Sequence, residues 1–133
     1  AHALMKFRVF AQEQDDFDRW VLEQQAPPVE PTSLAVEGQK AYIQVKCWAC
    51  HTIAGVAGPG TRGPNLTHVA SRTTIAAGLM DNTAVNLTHW LEAPLAMKPG
   101  NKMGTDGSMF QPDQEPMTED EIQALVAYLQ SLK

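Results

Sequence analysis

An all-α fold is what this sequence predicts, and three observations carry the expectation. Three segments show helical periodicity or cap chemistry: Ser33 to about Cys47, residues 81–93, and Thr118 to about Leu132. Two Gly/Pro-rich stretches between them cannot be regular structure: GVAGPGTRGPNLT at 55–67, and 96–117, broken by Pro99, Gly100, Gly104, Gly107, Pro112 and Pro116. A compact cluster, Cys47-Trp48-Ala49-Cys50-His51, closes the first helix. The internal order is helix, cluster, Gly/Pro loop, helix, Met-containing loop, helix.

In chain order, residues 1–11, AHALMKFRVFA, alternate Phe7, Val9 and Ala11 against Lys6, Arg8 and Phe10, the period of a short strand. Residues 15–25, DDFDRWVLEQQ, predict a helix with Phe17, Trp20, Val21 and Leu22 on an apolar stripe and acids at its N-terminus, where the dipole favours them. One strand and one helix cannot make a core, so this piece docks on something or belongs to a larger domain. Residues 26–33, APPVEPTS, are a Pro-rich extended linker. The domain boundary falls near Ser33: residues 1–33 carry net charge −3, and 34–133 carry −2.

The first helix of the main domain takes Ser33 as its cap, with Leu34, Tyr42, Ile43 and Val45 on its buried side. Gly38 in its interior costs about 1 kcal/mol against alanine, a cost usually offset by close approach of another element. The last helix is the expected partner. It opens T-E-D-E, a capping box of Thr118 and Glu121, and presents Ile122, Leu125, Val126 and Leu129, with Tyr128 at the crossing. The middle helix starts near Asp81 or Asn82 and stops at Pro94.

Cys47-x-x-Cys50-His51 is the attachment signature of a c-type haem. Two thiols three residues apart share one helical face and can each add to a vinyl group on one porphyrin edge, while the next histidine reaches the iron from that side. A zinc site would need two more ligands; the chain has no other cysteine, and His2, His68 and His89 do not fall at the required spacings. A redox dithiol wants a βαβ surround, and here there is helix and loop. The cysteines are thus assigned to haem and say nothing about disulfides.

Composition narrows the rest. The 133 residues suit one domain with an appendage, and nine Gly with nine Pro fit loops wrapped around a cofactor. A net charge of −5 argues against a nucleic-acid partner. No apolar run approaches the roughly 18 residues of a membrane span, no signal peptide is visible, and the abrupt start at Ala1 suits an excised fragment.

From about Ser33 to Lys133 the chain resembles a class I cytochrome c. The carrying residues are Gly38-x-x-x-Tyr42 before C-W-A-C-H, G-P-N-L at 63–66, W-L-E-A-P at 90–94, K-P-G-N-K-M at 98–103, and L-V-A-Y-L at 125–129. The resemblance implies three main helices around one covalent haem c, held by Cys47, Cys50 and His51, in an extracytoplasmic compartment. It makes Met103 the distal ligand by analogy with Met/His ligation, with Met97 and Met109 as alternatives on the same segment and His68 or His89 as the bis-His alternative. Gly104 stands where the family commonly has Pro. It also places the Pro64 carbonyl on the proximal imidazole, Arg72 near the buried haem propionate, and Trp90 beside the methionine. Trp48 is expected partly exposed near the haem edge, with His68 and His89 read as exposed; Lys46, Lys98 and Lys102 frame that edge or are plain solvated charges.

A second resemblance covers the N-terminus. HALMKFRVFA…FDRWVLEQ is similar to the end of the copper-binding domain of cytochrome c oxidase subunit II, where a His and a Met three residues later complete the dinuclear CuA centre; His2 and Met5 match them. The cysteine pair of that centre is absent, so CuA is expected only in the intact subunit. Copper-domain remnant, linker and cytochrome c domain together match the caa-type haem–copper oxidases. This implies a domain without catalysis of its own. It would take electrons from a redox protein and pass them to CuA of a proton-pumping terminal oxidase, on the periplasmic side of the membrane that anchors the full-length protein. A free-standing electron shuttle, a haem enzyme with a labile distal Met, and a haem-free dithiol oxidoreductase are the rival readings. A fully docked N-terminus would favour the shuttle, and one packed on nothing would count against it.

Overall fold

A computed structural model describes residues 2–56, 58 and 60–133, with His2 described through its backbone only. The proposed copper-ligand role of the His2 side chain lies outside the described residues, as do positions 57 and 59 of the Gly/Pro loop. The helices are α1 (Gln14–Gln25), α2 (Leu34–Gln44), α3 (Ala84–Glu92), α4 (Pro94–Met97), α5 (Lys102–Asp106) and α6 (Glu119–Ser131). A minimal antiparallel hairpin, β1 (Thr74–Ile75) with β2 (Met80–Asp81), pairs Thr74 with Asp81 and Ile75 with Met80.

The core is the crossing of α2 and α6. Gly38 makes it possible: a Cβ there would overlap the Ala124 carbonyl and lie 2.7 Å from Tyr128 Cβ. Beside the crossing, Tyr42 and Tyr128 meet edge-on at 6.1 Å and are almost wholly buried. The apolar face of α6 is buried as its periodicity requires, with Ala124 and Tyr128 added to Ile122, Leu125, Val126 and Leu129. Its capping box closes on both sides: Thr118 Oγ1 accepts from the Glu121 N–H at 3.2 Å, and the Glu121 carboxylate accepts from the Thr118 N–H at 2.8 Å. Thr118→Ala should therefore cost about 1 kcal/mol in denaturant melts; an unchanged midpoint would mean that the cap is not formed in solution.

Several local expectations are corrected. Helix α2 buries Ala35, Gly38, Ala41 and Tyr42, and leaves Leu34 and Ile43 exposed and Val45 half-buried. The close crossing selects small residues, so its face is turned from the one that the large apolar residues mark. Ser33 occupies the cap position with φ 51° and makes no side-chain cap bond. The middle helix starts later, because Met80–Asp81 pairs with Thr74–Ile75; Thr83 then caps α3, accepting from the Asn86 N–H. Pro94 ends α3 and also begins α4 as its first residue, where a missing N–H costs nothing. Residues 96–117 are not simply loop: they hold α5 and a 3-10 turn, Ser108–Phe110.

Among the described residues of the 1–11 segment there is no strand. A 3-10 turn spans His2–Leu4, and among the described residues the arm that follows has one backbone bond to the main body, Lys6 N–H to the Ala77 carbonyl at 2.8 Å, plus an Arg8–Asp81 ion pair at 2.8 Å. Alternation alone builds no ladder without a partner strand. Helix α1 forms where expected yet buries none of its residues; Phe17 and Trp20 stack on each other, with ring centroids 5.7 Å apart.

Candidate haem site

The attachment cluster sits at the end of α2. Lys46 takes a left-handed conformation (φ 60°), which breaks the helix, and Cys47–Ala49 continue as one 3-10 turn. The Cys50 and His51 N–H groups both donate to the Cys47 carbonyl, at 3.1 and 2.9 Å. That turn places two half-buried, unbonded thiols and the imidazole on one short piece of chain. Burial, with Cys50 adding to it, pushes the Cys47 thiol up to about 12. A redox dithiol needs the opposite, a lowered thiol.

The Gly/Pro loop closes against this turn. Gly63 N–H donates to the Cys50 carbonyl at 2.7 Å and Leu66 N–H to the Thr52 carbonyl at 2.8 Å. His51 Nδ1 lies 2.8 Å from the Pro64 carbonyl and donates to it, leaving Nε2 free to bind. Burial lowers the His51 pKa; the bond to Pro64 works against this, and the charge of Arg72 adds to it. The neutral ring is the form that ligates a metal. Gly63 must be glycine, since a Cβ there would meet Nδ1 at 2.6 Å and Nε2 at 3.0 Å.

A layer of half-buried apolar side chains packs against the hydrophobic core, with Cys47 of the attachment turn among them: Trp48, Val56, Leu66, Met80, Trp90 and Met103, with Met117. Trp90 reaches it from α3 and Met103 from α5. Met97 and Met109 are half-buried but outside that layer. Arg72 donates to the Asn65 carbonyl, so it is tied to the same loop as Pro64. His89 is exposed on α3. His68 is buried, contrary to expectation, because it enters the 3-10 turn Val69–Ser71 under α6; its Nδ1 has no partner among the described residues. Lys98 is also buried (7% exposed), its Nζ donating to the Ala76 carbonyl at 2.8 Å, so it frames no exposed edge. Lys46 and Lys102 remain exposed.

Sequence reasoning missed the polar ties that hold this frame. Tyr42 donates its hydroxyl to the His51 carbonyl at 2.8 Å, and Asn82 Nδ2 bridges the Val69 and Arg72 carbonyls at 2.7 and 2.9 Å. Asn101 Nδ2 donates to the Pro94 and Lys98 carbonyls, both at 2.7 Å, while its Oδ1 caps α5 at the Gly104 N–H. A cap-type residue directly before Lys102 was the available signal for Asn101. Tyr42 and Asn82 were marked only as a buried helix position and a candidate helix start, and nothing in the sequence pointed to these bonds.

Comparison with known proteins adds the decisive observation: the family model for cytochrome c matches residues 35–133. The chain belongs to the cytochrome c family. Over its whole length it is also similar to proteins named cytochrome c oxidase subunit 2, at 38% identity in Alkalihalophilus pseudofirmus, 39% in Bacillus sp. PS3 and 30% in Bacillus subtilis. It spans 36% of the length of each of these relatives. No helix among the described residues is long and apolar enough to cross a membrane.

Membership of the family implies a haem c, and the residues present fit one. The two thiols are free to form thioethers, the imidazole has its second nitrogen committed elsewhere, and half-buried apolar side chains that pack on the same core as Cys47 are of the kind a porphyrin would cover.

Proposed function

We infer that the chain is the electron-transfer segment of a subunit II, with a six-coordinate haem c between His51 and Met103 that feeds the CuA centre of a terminal oxidase. The observation that carries this reading is the reach of the similarity. Residues 1–34 lie outside the family match yet inside the similarity to oxidase subunit 2. On this reading residues 1–33 are the end of the copper-binding domain with its linker, and 34–133 the haem domain. Helix α1, which buries nothing here, is the part whose packing partner belongs to that other domain.

When bound, haem c would supply a one-electron couple needing little change in geometry, and a thioether ligand raises its potential. The protein does the rest. Cys47 and Cys50 fix the group, Pro64 holds the His51 ring in one tautomer, and the apolar layer keeps water away. Met103 is supported over Met97 and Met109 by its place in that layer and by the Asn101 knot that fixes α5. Lys46 and Lys102 are the exposed cations available to a donor protein. On this reading the domain lies on the periplasmic side of a membrane that other parts of the subunit would anchor.

A free-standing carrier finds support only in the docking of Lys6 and Arg8 on residues 77–81. Rapid mixing of the full-length subunit with a reductant of the c haem separates the two. Reduction of CuA at the expense of reduced haem c is expected; a haem that reduces normally while CuA stays oxidised would overturn the oxidase reading.

A further inference from the structure

The hairpin between β1 and β2 turns through three successive residues in the left-handed region: Ala76 (φ 54°), Ala77 (φ 61°) and Gly78 (φ 75°). Only Gly78 is of a type that accepts this freely; two adjacent alanines there are disfavoured and persist only where neighbours over-determine them. Two neighbours do so. From inside, buried Lys98 donates its Nζ to the Ala76 carbonyl at 2.8 Å. From outside, the N-terminal arm lies on the turn: Lys6 N–H donates to the Ala77 carbonyl, and Arg8 pairs with Asp81 just beyond it. The approach is so close that a Cβ on Gly78 would meet the Lys6 carbonyl oxygen at 2.5 Å.

Lys98 is an unusual residue to spend on such a contact. Among the described residues it forms no ion pair, and lysine is rarely buried without one. Its own backbone belongs to the segment leading to Met103. The Lys98 carbonyl accepts from Asn101 Nδ2, and Asn101 in turn caps α5. One chain of contacts therefore runs from the arm, through the strained turn, to the helix that carries Met103.

We propose that Lys98 is a positioning residue that locks the 76–78 turn to the Met103 segment, and that the docked arm, through Lys6 and Arg8, braces the same turn and so sets how readily α5 opens. This rests on the assignment of Met103 as distal ligand. In the intact protein the arm would join the haem domain to what precedes it, so displacement of the arm would loosen the distal side without any change at the haem itself.

Two variants of the haem-loaded chain test this. Lys98→Met keeps the length of the side chain and removes its donor. Lys6→Pro removes one backbone N–H from an exposed arm that lies outside the core. The readouts are the rate at which added imidazole displaces the distal ligand of the ferric protein, and hydrogen exchange at the Gly104 amide, which bonds to Asn101. Lys98→Met is expected to raise both about tenfold, and Lys6→Pro to raise both severalfold, with the α2 and α6 amides unchanged. The double variant should fall short of the product of the two effects, since both act on one turn. Gly104 exchange and imidazole displacement within twofold of the parent in both single variants would overturn the proposal. A parent without the near-red Met–Fe(III) band would instead strike at the ligand assignment, whereas the Gly104 readout would still judge the lock.

Discussion

Replacing Gly38 with valine is expected to remove about 3 kcal/mol or more of stability, enough to unfold much of the population if the domain has the usual 5–15 kcal/mol. Two effects oppose each other. Valine at position 38 gains less than about 1 kcal/mol in helix propensity over glycine. Against that, its Cβ would sit 2.5 Å from the Ala124 carbonyl carbon and 2.7 Å from Tyr128 Cβ. These atoms are backbone and the root of a buried side chain, so neither can swing away, and α2 and α6 must separate. Separation also reaches the site, because Tyr42, packed on Tyr128, donates to the His51 carbonyl. Denaturant melts of the haem-loaded protein measure the loss. A valine variant within 1 kcal/mol of the parent would mean that the helices do not cross this closely.

The helical framework was legible because its signals are local. The T-E-D-E box marks α6, the period of Ile122, Leu125, Val126 and Leu129 marks its buried face, and a glycine inside α2 marks the crossing. What failed was inference from large apolar side chains alone. Leu34 and Ile43 are exposed because the tight crossing turns α2 onto Ala35 and Ala41. Phe7 and Val9 alternate like a strand yet find no strand to pair with among the described residues.

At the site, the short motifs were readable because each depends on residues a few positions apart: the Cys47–His51 turn, and the glycine and proline at 63 and 64 that close on it. Contacts between distant segments were not. Lys98 reads as a surface cation, and only the fold brings the Ala76 carbonyl to it across 22 positions. His68 reads as a loop histidine and is buried beneath α6. Met80 and Met117 entered the apolar layer from segments that carry no ligand-like pattern, one paired in the hairpin and one just before the α6 cap. They widen the set of half-buried sulfurs packed against the core.

Met103→Leu is expected to abolish the near-red band of the ferric protein and to lower the reduction potential by at least about 59 mV, a tenfold change in a one-electron equilibrium. Leucine is the informative choice. It keeps most of the volume, so packing loss should stay below about 1.5 kcal/mol, whereas truncation of this half-buried side chain to alanine would open a cavity and confound ligation with packing loss. The same exchange at Met97 or Met109, outside the apolar layer, should leave band and potential in place. Met80→Leu and Met117→Leu are the demanding controls, since both sulfurs lie in that layer. What sets Met103 apart is the backbone under it: α5 is capped by Asn101, whose amide also ties down the Pro94 and Lys98 carbonyls, so the sulfur is presented from a fixed turn. Survival of the band in Met103→Leu, with its loss in Met80→Leu or Met117→Leu, would transfer the ligand role to a methionine that no sequence pattern singled out.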